Sequence, residues 1–200
     1  MRLLSLLMIL VSLNATAAEQ KIKMHYMNEE MAKVLENYSK ASGQKFVVDP
    51  QLKGKVSILL PGPVSLEEAF EHLSSAMALN GYAISKHGDT MVVRSARNTQ
   101  RDLHEVSTER PSLKPERMYT WIYTAKNLPV MDINRELRIL SSKDGEMSVY
   151  PGTNQLIISD WTSNLNRVAD LLKELDKPVD PATAKWVEMS KKEYPKKKED

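Results

Sequence analysis

The sequence predicts an α+β fold in two small domains, the first ordered βαββαββ and the second βαββα, each a sheet with helices on one face. Three observations carry this expectation. Short alternating apolar runs, the mark of half-buried strands, give way to apolar residues three and four apart, the mark of a helix stripe. Pro or Gly punctuates most of the junctions. Residues 96–116 lose this periodicity and separate the two patterned halves.

In the first half, Ile22, Met24 and Tyr26 alternate as a short strand. Asn28 is placed to cap a helix, with Glu29 and Glu30 at the positive end of its dipole. Met31, Val34, Leu35, Tyr38 and Ala41 form its buried stripe, and Gly43 supplies a left-handed stop. Phe46-Val47-Val48 is an apolar strand that Asp49-Pro50 ends, because proline biases the residue before it away from helix. Gly54 closes the turn before a second strand with Val56, Ile58 and Leu60 inward, and Pro61-Gly62-Pro63 is expected to forbid its continuation. Ser65-Leu66-Glu67-Glu68 is a capping box, with Ser65 reaching forward and Glu68 back to backbone N–H groups. Leu66, Ala69, Phe70, Leu73, Ala76 and Met77 make that helix's stripe, and Asn80-Gly81 ends it. Two strands, 82–87 and 90–94, joined by Gly88-Asp89, complete a hairpin.

The segment 96–116 is polar, contains Pro111 and Pro115, and reads as a semi-stiff linker. The second half opens with a strand that places Tyr119, Trp121 and Tyr123 on one face. Pro129 suits the first turn of a helix whose stripe is Val130, Ile133, Leu137 and Leu140. Met147 and Val149 belong to a strand, Pro151-Gly152-Thr153-Asn154 turns, and Leu156-Ile157-Ile158 returns. Asp160 or Thr162 caps the last helix, with Leu165, Val168, Leu172 and Leu175 as its stripe and Pro178 as its stop. Residues 178–200 end in KKEYPKKKED and read as a disordered tail of mixed charge. Four acidic residues among its six lysines from Lys185 onward argue against an anionic-surface tether.

Composition narrows the classes. Hydrophobic residues at 42% leave enough material for a buried core. A net charge of +2 argues against a dominant phosphate-binding surface. Without cysteine there are no disulfides and no thiolate metal sites. Met1-Arg2, the apolar run from Leu3 to Leu13 and Ala15-Thr16-Ala17 together read as a secretory signal over residues 1–17, cleaved between Ala17 and Ala18. The run is shorter than the roughly 20 residues a membrane helix needs, which disfavours an uncleaved anchor. The mature chain is therefore expected in the periplasm, with domains at 18–95 and 117–177 and no membrane span.

Chemistry is sparse. His25, His72, His87 and His104 fall on different elements without helical partners, so no metal site and no cofactor is expected. Glu67 and Glu68 are adjacent on a helix and point apart, which removes them as an acid–base pair. No G-x-S-x-G elbow, glycine-rich phosphate loop or H-E-x-x-H occurs, and no catalytic residue is assigned. Nucleic acid is not expected either: no two of the seven glycines are three apart, as a G-x-x-G backbone clamp requires. Tyr119 and Trp121 are read as core aromatics in preference to stacking platforms.

The stretches Phe46–Pro50, Lys53–Val56, Leu66–Leu73, Leu79–Tyr82 and Met91–Val93 resemble the first periplasmic domain of bacterial secretins, itself related to the short signalling domain of TonB-dependent receptors. Tyr119–Tyr123, Val149–Asp160 and Leu165–Pro178 resemble the KH-like ring-building domain that follows it, with Thr153-Asn154, the apolar strand and Asp160 as the most specific piece. Trp161 departs from the pattern, which tends to have a small residue there. The resemblance gives Asp49, Pro50, Gly54, Ser65, Glu68, Gly81, Thr153, Asn154 and Asp160 a fold-determining role. It implies a non-enzymatic scaffold or accessory protein of a type II secretion or type IV pilus system. A full-length secretin, inner-membrane assembly components and further copies of itself are the implied partners. The 23 residues after Lys177 cannot supply the strands of a membrane barrel, so the chain is not expected to form the pore. A signalling module contacting a transmembrane regulator, or a binder of cell wall or of DNA during uptake, are the alternative readings.

Overall fold

The structure, a computed structural model, describes residues 20–98 and 105–193. The expected signal peptide with its Ala17–Ala18 junction, His104 and the last seven residues lie outside the described residues.

The first unit runs β1 (Lys21–Glu30), α1 (Met31–Ser42), β2 (Lys45–Val48), β3 (Lys55–Ser65), α2 (Leu66–Leu79), β4 (Tyr82–His87) and β5 (Thr90–Ser95). Its strands form two sheets where one was expected. β1 and β3 pair antiparallel, while β2, β5 and β4 form a second sheet in which β2 runs parallel to β5. The helices contact strands of both sheets. The core therefore joins Met24, Val56 and Ile58 from one sheet to Ile84 and Val93 from the other, through Val34, Leu35, Leu73 and Met77. Apolar stripes that touch two sheets explain why a single helix-covered sheet does not form.

Two local expectations are corrected. β3 passes through Pro61-Gly62-Pro63, with Pro63 opposite Lys23 and Ser65 opposite Lys21. Among the described residues β3 pairs on one side only, and a missing N–H is tolerated on an open strand edge. Asn28 caps nothing: it sits at φ 52 inside an irregular stretch of β1 and donates its backbone N–H to Ser57 Oγ at 3.0 Å. Glu29 and Glu30 thus belong to the strand, and α1 starts at Met31, whose N–H donates to Gly54 O. Ser65 does cap α2, accepting the Glu68 N–H at 3.1 Å. The Glu68 carboxyl itself lies 3.8 Å from His72 Nε2 on the next turn.

The second unit runs β6 (Val106–Ser107), β7 (Met118–Thr124), α3 (Val130–Leu137), a 3₁₀ turn (Arg138–Leu140), β8 (Glu146–Tyr150), β9 (Gln155–Trp161) and α4 (Thr162–Leu175). The sheet order is β6-β7-β9-β8. Tyr119, Trp121, Leu156 and Ile158 face the helices and bury Val130, Ile133, Leu165, Val168 and Leu172. Leu175, expected in the α4 stripe, is exposed.

The expected linker is partly structured. Its middle supplies β6, parallel to β7, and Arg110 donates to Asn166 Oδ1 and Asp170 Oδ1 on α4 at 2.6 and 2.7 Å. The expected disordered tail contains α5 (Pro181–Glu193). Asp180 Oδ1 accepts the Ala182 and Thr183 N–H groups, and Pro181 has the φ a first helical turn needs. This local cap outweighs the charged composition of the tail.

Candidate interaction surface

Among the described residues no three His, Asp or Glu side chains gather as a metal site would require. The motif residues of the first unit serve loops. Asp49 Oδ1 accepts the Gln51 N–H at 2.8 Å, turning the chain at Pro50. Gly54 has φ 119, and a Cβ there would lie 3.1 Å from Met31 Cε. Gly81 has φ 78 and its carbonyl accepts the Ala96 N–H at 2.8 Å.

In the second unit three polar side chains fasten loops together. Asn154, in the left-handed region at φ 54, donates through Nδ2 to Ala125 O and Leu128 O and accepts the Val130 N–H at 3.0 Å. It caps α3 from a remote turn, while neighbouring Thr153 is exposed and donates only to Gln155 Oε1. Asp160 caps no helix. Its carboxyl is fully buried and accepts from Ser142 N and Oγ, Trp161 N and Asn164 Nδ2, all between 2.5 and 2.8 Å. The backbone of Gly145 lies so close that a Cβ there would stand 2.1 Å from Asp160 Oδ2.

Asp176, which follows α4, accepts from Tyr123 OH at 2.6 Å and from the backbone N–H groups of Lys126, Asn127 and Leu128. Burial pushes the Asp176 carboxyl up, but these donors outweigh it and hold it below the usual carboxylate range. Burial, with the carboxylate beside it, raises the Tyr123 phenol. A lowered folded-state value stabilises the fold above the unfolded aspartate value and is lost as pH falls through the folded one. Asp176→Asn is therefore expected to cost about 1–2 kcal/mol at neutral pH, discounted for partial exposure. The gap between parent and variant should begin to narrow below about pH 3.9, as read from urea midpoints across pH.

Several strand edges are also open on the surface. β1, β2, β3, β6 and β8 each have an edge unpaired among the described residues. Each also carries one large apolar side chain more than half exposed: Met27, Val47, Leu59, Val106 and Tyr150. Open edges present rows of unpaired backbone groups to which another chain can add a strand.

The comparisons with known proteins fit this geometry unit by unit. The family model described as the GspD-like N0 domain matches residues 24–93. The one described as the bacterial type II/III secretion system short domain matches residues 120–181. The two units are N-terminal domains of bacterial secretins. Secretin XcpQ of Pseudomonas aeruginosa is 29% identical over 150 residues, 74% of this chain and 22% of that secretin. The putative secretin GspD of Escherichia coli K12 is 24% identical over 164 residues, 80% of this chain and 25% of the relative. The chain thus spans about a quarter of the curated secretins it matches. A chain of the Klebsiella pneumoniae type II secretion system outer membrane complex, which contains PulD, PulS and the PulC HR domain, shares the fold. Its TM-score is 0.68 at 14% identity, covering 78% of this chain and 27% of that one.

Two residues central to these secretin domains were not assigned from sequence. Asp176 carried no motif, although an acidic residue closing a helix just before a proline was a visible signal. Trp161 was read only as a departure from the secretin pattern, yet it is 7% exposed and packs outside both unit cores.

Proposed function

We propose that this protein is a non-enzymatic periplasmic scaffold or accessory component of a type II secretion or type IV pilus system. The observation that carries this is the presence, on one chain and in secretin order, of an N0-type unit and a short secretion-system unit. The first unit presents a partner surface at the edges of its two-stranded sheet, where Leu59 and Met27 are exposed. The second associates side by side through its own edge strand β8. The Klebsiella neighbour, a chain of a complex that contains PulD, PulS and the PulC HR domain, supports a protein partner. The mechanism asked of the chain is binding by strand addition, in which backbone hydrogen bonds supply affinity and alternate side chains supply specificity.

Crosslinking in intact periplasm, followed by mass spectrometry of the linked peptides, tests this. The expected result is linkage of the first unit to a secretin or an inner-membrane assembly protein. Leu59→Asp should reduce that linkage at least tenfold while leaving the thermal transition in place, because Leu59 lies on the solvent side of β3. Recovery of no secretion or pilus component would sink the proposal.

A further inference from the structure

We infer that the two units are locked into one rigid body by a joint centred on Trp161. Along β9, Leu156, Ile158 and Asp160 face the helices of the second unit, so Trp161 projects from the opposite face. Met118 does the same on β7 and is its register partner. These two side chains belong to neither unit's core; with Ala83 and Ala96 of the first unit they form a separate buried cluster, and Ala78 of α2 packs against it. Three alanines make a flat seat on which an indole can lie close to the backbone. Ala96 is fixed to the first unit by its hydrogen bond to Gly81 O.

The polar groups around the seat reinforce it. The Trp161 indole N–H donates to Asp144 Oδ2 at 3.3 Å, and this buried carboxyl also lies 3.9 Å from Arg97 Nε, two residues beyond β5. Arg97 further donates to Lys143 O at 3.4 Å. Lys114 of the connecting segment pairs with Glu71 of α2 at 2.7 Å. Exposed ion pairs contribute little alone, so the buried indole is the principal lock and the ions fix its register. An isolated second unit would lose the contacts that Ala78, Ala83 and Ala96 make with the Trp161–Met118 pair.

The joint fixes the open edges of the first unit at a set angle to those of the second. It does not depend on the secretion reading, because it is tested on the protein alone. The sequence contains no cysteine, so spin labels can be attached to the full chain at Lys40→Cys on α1 and Glu174→Cys on α4, both well exposed. The parent should give one narrow inter-label distance distribution. Trp161→Ser should broaden it at least twofold while both units still melt cooperatively. Should that variant unfold the second unit, Ala78→Glu decides, since it leaves both cores intact and sets a charge against Glu116 across the joint. A parent distribution that is already broad overturns the inference, as does a narrow one in the folded variants.

Discussion

Asp160→Ala is expected to lower the unfolding free energy of the second unit by about 3–5 kcal/mol, the range for truncating a fully buried, multiply bonded polar group. The loss is large because four donors converge on one carboxyl that no water reaches. Two are backbone N–H groups, of Ser142 and Trp161, which cannot turn away to find other acceptors. Asp160→Asn should be nearly as costly, because its amide nitrogen would face donors on every side. Thermal or urea unfolding monitored by tryptophan fluorescence measures the effect, since both Trp121 and Trp161 belong to this unit. A change under about 1 kcal/mol would show that the carboxyl is not the anchor of the β8 turn.

Gly145→Ala is expected to cost about 3 kcal/mol, at the upper end for overpacking. The added methyl would stand 2.1 Å from Asp160 Oδ2 and 2.4 Å from its Cγ. A long side chain would swing aside, but this short one is pinned by its four donors. Backbone φ is not the obstacle here, as Gly145 is not in the left-handed region. The two substitutions should therefore be strongly non-additive. On the Asp160→Ala background, Gly145→Ala should cost less than about 1 kcal/mol, because the obstructing oxygens are gone. Full additivity in the double-mutant cycle would place the cost of the alanine in the turn itself and not in the contact.

Much of the fold was legible because its signals are local. The Ser65 cap, the α1 and α2 stripes and the Tyr119–Trp121 face depend on neighbours within a few residues, and periodicity reports these directly. Strand partnership is not local. The alternation in β1 and β3 shows which side chains are buried, but not that these strands pair apart from β2, β5 and β4. Asp160 shows the same limit: its position before a helix suggests a cap, whereas two of its four donors sit on Ser142, 18 residues away. Trp161 was hidden for a further reason, since its partners lie in the other unit. Composition hides α5, whose start signal is the local pair Asp180-Pro181.

The segment that straps β6 to β7 sets where this protein can be divided. Glu105 O accepts the Thr120 N–H, the Trp121 indole donates to Thr108 O, and Arg110 grips α4. A fragment begun at Arg117, where sequence patterning alone would place the cut, would bare one edge of β7 and leave the Trp121 N–H without its acceptor. Begun at Glu105 it would keep both. Studies of the second unit in isolation should take the earlier residue as its first.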